Sequence, residues 1–262
     1  MNARLYDPVM GRFFSPDPVI QDFEATQSLN RYSYCQNKPV NRVDLDGRLA
    51  SPVFDKNGNK LGEDEYGMQG EIIIADDPSR FTPGMKHSDA LDLGEIFSMS
   101  RTDITMQNKN KILSKVIEGT ELPNGSTIKS SDFYLTFDYD PDGIGDYKWD
   151  GNLKKHHVNL NMPSNEYTVE NIRMVAGIHE IFGHGIMNWG SRYAGGGSHY
   201  KIFEAEMDSK YWNKSTDYIK QNTTINWWKY YGNEVVRKTG DNTVPQKYAA
   251  KFYKYGYGFY KK

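Results

Sequence analysis

Thr168-Val169-Glu170-Asn171-Ile172-Arg173-Met174-Val175-Ala176-Gly177-Ile178-His179-Glu180-Ile181-Phe182-Gly183-His184-Gly185 reads as an amphipathic helix that ends in chemistry. Thr168 suits its N-cap and Glu170 its first turn, where exposed N–H groups favour oxygen acceptors and negative charge. Val169, Ile172, Val175, Ala176, Ile178 and Phe182 recur at helical spacing and make one apolar stripe. At its end stand two imidazoles and one carboxylate, His179, His184 and Glu180, within six residues. Those are the residue types a zinc hydrolase needs: histidines to hold the metal, and a glutamate to take a proton from water bound there.

The usual form of this set, His-Glu-x-x-His, puts both histidines on one helix face. Here one more residue intervenes. Residues five apart on an ideal α-helix point about 140° apart. His179 and His184 therefore converge only if the helix is interrupted, for instance by a π-bulge. Gly183, just before the second histidine, offers a permissive backbone there. The plainer alternative makes His179 a core histidine and His184 a helix-end histidine.

Downstream, a loop with Gly195-Gly196-Gly197 leads to a second helix, expected over Tyr200–Tyr218. It carries Glu204, Glu206 and Asp208. Glu204 and Asp208 are four apart and share a face. Glu206 lies about 200° from Glu204, so only one of the two can face a metal. His-Glu-x-x-Gly-His-Gly resembles the elongated zinc motif of the dipeptidyl peptidase III family. The Glu-x-x-x-Asp that follows is similar to the third-ligand helix of gluzincin metallopeptidases. The resemblance covers roughly 30 residues. It implies zinc held by His179, His184 and Glu204, with Glu180 as general base. Asp208 would then orient a histidine through its free ring nitrogen. Glu206 is the rival third ligand, and Asp208 beside Glu204 favours Glu204. His199 does not fit the metzincin spacing; it reads as a surface residue or as a donor to a developing oxyanion.

Upstream, Phe133–Phe137 and His156–Met162 read as strands around a Gly/Asp loop at Asp138–Asp146. The alternation in the second strand looks edge-like, which suits a cleft rim that pairs with an extended peptide. His156 and His157 would line that cleft, neither as a ligand. Asp138, Asp140, Asp142 and Asp146 occupy calcium-loop positions, but Trp149 stands where a bidentate glutamate is needed. Turn chemistry alone accounts for these residues, and a Ca2+ site is the second reading.

The N-terminal 47 residues are short strand and turn signals. Ala3-Arg4-Leu5-Tyr6-Asp7-Pro8, Gly11-Arg12-Phe13, Ser15-Pro16-Asp17-Pro18, Gln27-Ser28-Leu29-Asn30-Arg31-Tyr32-Ser33-Tyr34-Cys35, Asn37-Lys38-Pro39-Val40-Asn41 and Asp46-Gly47 resemble the core-associated segment that closes Rhs (YD-repeat) proteins. In that family the segment seals a β-strand shell, and a variable toxin domain follows it. The resemblance implies the tip of a larger bacterial effector used in interbacterial competition. It would be secreted or delivered into target cells, with the rest of the Rhs shell and a cognate immunity protein as partners.

The expected organisation is a core-closing segment at 1–47, a linker and hairpin at 48–69 around Asn57-Gly58, and a C-terminal domain at 70–262. The expected fold is α+β and zincin-like: a mixed or antiparallel sheet with an active-site helix and a third-ligand helix. The aromatic tail, Trp227-Trp228-Lys229-Tyr230-Tyr231 and beyond, reads as packing surface. With 32 basic and 34 acidic residues, net charge −2, there is no electrostatic footprint for nucleic acid. Cys35 is the single cysteine, so a metal site must use histidine and carboxylate. No signal peptide is apparent, and the longest aliphatic run, Ile72-Ile73-Ile74-Ala75, is far short of a membrane span, so a soluble chain is expected. The leading functional reading is a zinc-dependent metallopeptidase toxin acting on a protein or peptide. A metal-dependent nuclease toxin and a non-catalytic binding module are the alternatives.

Overall fold

The computed structural model describes residues 6–7, 12–13, 51–65, 67–138, 143–190 and 198–256. The chain is α+β and divides into two compact units, residues 1–97 and 98–262. Most of the expected Rhs-like segment lies outside the described residues. Within it β1 (Tyr6–Asp7) and β2 (Arg12–Phe13) pair antiparallel.

In the first unit, β3 (Pro52–Asp55) and β4 (Lys60–Glu63) form the hairpin expected from Asn57-Gly58. Gly58 takes a φ of 75°, a left-handed value glycine adopts freely. Asp55 closes the turn by accepting 2.8 Å hydrogen bonds from the backbone N–H and side-chain amide of Asn59. The hairpin is no linker. β3 pairs parallel with β5 (Ile73–Ala75), giving a four-stranded sheet of order β4-β3-β5-β6. This pairing spans residue 69, so the compact unit runs through 97 rather than ending at the expected boundary.

The short α1 (His87–Leu91) is followed by β6 (Gly94–Ile96). Gly94 permits this: a Cβ there would sit 1.9 Å from the carbonyl oxygen of Ile74 on the neighbouring strand. Val53, Ile73, Ala75, Ala90, Leu91 and Leu93 make the unit's core.

The second unit begins with α2 (Met106–Ile117), capped by Thr105, whose hydroxyl accepts the N–H of Asn108. Its Ile112, Leu113, Val116 and Ile117 are fully buried. Then come β7 (Phe133–Thr136), β8 (Gly145–Asp150) and β9 (Lys155–Leu160), in the order β7-β9-β8. β7 is parallel to β9 and β8 antiparallel to it. The strand expected at an edge is therefore central, with both sides occupied. β8, which opens inside the expected Gly/Asp loop, is an edge strand, as is β7.

The opening stretch folds as read at its start. Thr168 caps α3 (Val169–Ile172) by accepting the N–H of Asn171. The helix then continues as a π-helix, Arg173–Ile186. Every residue of the expected apolar stripe is buried. α4 (His199–Asp208) packs on it. The expected helix over Tyr200–Tyr218 is broken: α4 ends at Asp208, and α5 (Asp217–Tyr231) starts afresh behind a Thr216 cap. A π-helical segment (Gly232–Val236), short α6 (Arg237–Thr239) and α7 (Gln246–Lys251), and a second π-helical segment (Phe252–Gly256) follow. Trp227 is fully buried, with Tyr231, Tyr248 and Phe252 within 5.9 Å between ring centroids, so these aromatic residues are packing.

Gly183 does its work here differently from the expectation. Its φ is not left-handed; its value is closeness. A Cβ at Gly183 would lie 2.7, 2.9 and 3.0 Å from three atoms of Ile202 on α4. Gly183→Val should lower unfolding free energy by about 1–3 kcal/mol through overpacking, read as a fall in thermal midpoint. An unchanged midpoint would mean the two helices do not meet as described.

Candidate metal centre

A π-helix closes i→i+5 hydrogen bonds, so residues five apart stand near one another along one face. The ladder is visible at its end, where the N–H of Met187 donates to the carbonyl of Phe182 at 2.8 Å. The extra residue between Glu180 and His184 thus brings the histidines together: their ring centroids are 5.2 Å apart. A third ring joins them. His199, the first residue of α4, lies 5.6 Å from His179 and 4.9 Å from His184 by centroid. Each of the three offers a ring nitrogen within 4.8 Å of the other two.

Hydrogen bonds hold these rings. His184 Nδ1–H donates to the carbonyl of Trp189 at 2.8 Å, which leaves Nε2 as the lone-pair nitrogen. His179 Nδ1 is bonded at 2.9 Å to Oε1 of Glu206, again leaving Nε2. The other oxygen of Glu206 accepts from the Thr223 hydroxyl at 2.7 Å. Among the described residues His199 Nε2 is buried with no hydrogen-bond partner. The start of α4 is pinned by Glu234, whose carboxylate accepts the backbone N–H groups of Ser198 and His199. Tyr230 stacks on the His199 ring at 4.1 Å.

Burial disfavours the imidazolium form. It lowers His179 to about 3. It lowers His184 to about 4, with His179 adding repulsion. It lowers His199 to about 3, with both other histidines adding to it. All three are neutral across physiological pH, the form that ligates metal. Three neutral imidazoles, two of them oriented by a carboxylate or carbonyl partner, could hold a metal ion.

Glu180 stands beside this cluster, 2% exposed. Its Oε2 is buried, has no hydrogen-bond partner among the described residues, and lies 4.0 Å from His184 Nε2. Burial raises its carboxyl well above the usual range, and the charges of Asp146 and Glu206 raise it further. Gly145 on β8 comes so near that a Cβ there would sit 2.5 Å from Glu180 Oε1. The four residues open into a cleft of about 570 Å³, walled by β8 on one side and by α4, α5 and Glu234 on the other.

Other expected residues lie elsewhere. Glu204 does not reach the histidines. Its Oε1 accepts the indole N–H of Trp227 at 3.3 Å, and it lines a separate cavity of about 500 Å³. Asp208 lines that same cavity. It bonds Lys247 at 2.6 Å and Tyr248 at 3.0 Å, not a histidine. Glu204 and Asp208 share a face that lines this cavity rather than the histidine cleft. His199 and Glu206 are seven apart, two helical turns, and so lie on the other face. That spacing was the signal available in the sequence; Glu206 orients a histidine where Asp208 was expected to.

His157 stacks on Tyr134 at 4.7 Å and bonds Thr136, away from the cleft lining. His156 bonds the Tyr147 hydroxyl at 2.9 Å. Of the calcium-loop aspartates, Asp140 and Asp142 lie outside the described residues. Asp138 precedes the loop, where its N–H donates to Asn159, and Asp146 lines the histidine cleft. The Gly195–Gly197 loop also lies outside the described residues. Among the described residues no helix is long and apolar enough to cross a membrane.

No protein family and no solved structure matches the chain. Over 49 residues it is 45% identical to salivary gland surface protein 1 of Aedes aegypti. That stretch covers 19% of this chain and about 1% of the length of that protein.

Proposed function

We propose that residues 98–262 form a zincin-like, zinc-dependent metallopeptidase. The observation that carries this reading is the convergence of His179, His184 and His199 on one cleft beside a buried, unpartnered Glu180. His179, His184 and His199 would hold the cation. When bound, zinc supplies Lewis acidity, which polarises a carbonyl and makes water more acidic. Glu180, its carboxyl raised above the usual range by burial, is placed to take a proton from the attacking water and pass it to the leaving amine. Glu206 and the Trp189 carbonyl keep the rings of His179 and His184 in orientation. β8 supports a peptide substrate: it is an edge strand beside the π-helix, and among the described residues its outer edge has no strand partner. An extended peptide can add to such an edge through main-chain hydrogen bonds. The N-terminal Rhs-like motif series supports the wider reading of an effector tip that acts in a target cell and is restrained by an immunity protein.

The test is incubation of the zinc-loaded chain with mixed protein substrates, plasmid DNA and RNA in parallel. Peptide-bond cleavage that stops with 1,10-phenanthroline and returns with added zinc is the expected result. Cleavage of nucleic acid with intact protein substrates would overturn the reading.

Glu206→Gln should weaken zinc affinity by about 10- to 100-fold, the usual effect of losing a ligand's hydrogen-bond partner. Competition with a calibrated chelator measures it, and an unchanged affinity would remove Glu206 from the site.

A further inference from the structure

We infer that the histidine cleft selects substrates carrying a cationic side chain next to the bond that is cut. The inference deepens the peptidase reading and rests on it. Among the described residues four carboxylates line the cleft, on Asp146, Glu180, Glu206 and Glu234, and no lysine or arginine does. Three have employment within the protein. Glu206 holds His179 and Thr223, Glu234 holds the first N–H groups of α4, and Glu180 is the base beside the histidines. Asp146 is left over. It is exposed, and among the described residues it has no hydrogen-bond or ion-pair partner.

Its position gives it a use. Asp146 is the second residue of β8, the edge strand beside the π-helix, and its charge reaches both Glu180 and His184, raising each. A peptide laid along β8 would pass Asp146 within a residue or two of its reacting bond. Burial raises the carboxyls of Glu180 and Glu206; a bound divalent cation would favour their charged forms and be offset by them. Asp146 and Glu234 then leave the cleft negative, which attracts lysine or arginine side chains and repels acidic ones.

The test uses binding, separately from turnover. Zinc-loaded Glu180→Gln protein is titrated with fluorescent random decapeptides whose central residue is fixed as Lys, Gln or Asp. The Lys series should bind about tenfold tighter than the Asp series, the effect of one partly screened charge pair at close range. Adding Asp146→Asn should shrink that ratio severalfold, and Asp146→Lys should invert it. Equal binding of the three series, tighter binding of the Asp series, a ratio untouched by Asp146→Lys, or no binding at all would overturn the inference. The peptidase reading is judged apart, on wild-type protein. Cleavage of all three series alike leaves it standing without the preference, whereas zinc-loaded wild type that cleaves none removes both.

Discussion

Glu180→Gln should leave zinc in place and slow the proposed peptide hydrolysis by about 100- to 10,000-fold, the contribution of a positioned general base. The substitution keeps shape and removes only the ability to accept and return a proton. Glu180 is a case where this distinction is clean. The side chain is 2% exposed and one oxygen has no hydrogen-bond partner, so the folded structure makes little use of its charge. Burial already disfavours the carboxylate, and an amide of the same size removes that strain. Thermal stability should therefore hold or rise while activity collapses. Steady-state hydrolysis, zinc content and thermal midpoint on the same sample check all three. Retained activity with full zinc would put the base elsewhere; loss of zinc would make Glu180 a ligand.

The second large effect concerns the third imidazole. His199→Ala should release the metal, whereas Glu204→Ala should keep it. The reason is geometric. His199 sits 4.9 and 5.6 Å by centroid from the other two rings, with Nε2 buried and unpartnered. Glu204 faces a different cavity and accepts a hydrogen bond from Trp227. Removing one of three protein ligands from a catalytic zinc site leaves two, too few for tight binding. Because His199 also stacks on Tyr230, alanine could loosen α4. His199→Gln, which retains bulk, should lose the metal as well, and circular dichroism separates ligand loss from unfolding.

How far the sequence could be read follows from the kind of signal each residue carries. The helix from Thr168 was legible because its cap and apolar stripe are local. The meeting of His179 and His184 was legible as a condition, an interrupted helix, and the π-helix meets it. The reach of the interruption was not legible: 14 residues adopt π geometry, and tertiary packing against α4 through Gly183, rather than any local preference, supports it. β8 was not legible as a strand: Gly145 and Asp146 fall in the expected Gly/Asp loop, and Tyr147-Lys148-Trp149-Asp150 alternates only weakly. It forms an edge strand with exposed Asp146, Lys148 and Trp149, so hydrophobic alternation is weak there. β9 looked edge-like because only Val158 and Leu160 of the strand are buried, yet its neighbours come from chain positions that periodicity does not reveal.

His199 was the costliest miss. Spacing rules for third ligands compare a chain with known arrangements, and 15 residues from His184 to His199 matched none considered. Helical phase alone placed His199 and Glu206 on one face and Glu204 on another. That argument needed only the helix to begin at His199, one residue before the start that was read.

The most direct measurement is elemental analysis of zinc per chain in dialysed wild type beside His179→Ala, His199→Ala and Glu204→Ala. The account predicts about one zinc per chain for wild type and Glu204→Ala, as a three-imidazole catalytic site would hold, and well under half that for both histidine variants. Zinc retained by His199→Ala and lost from Glu204→Ala, or wild type without zinc, would contradict it.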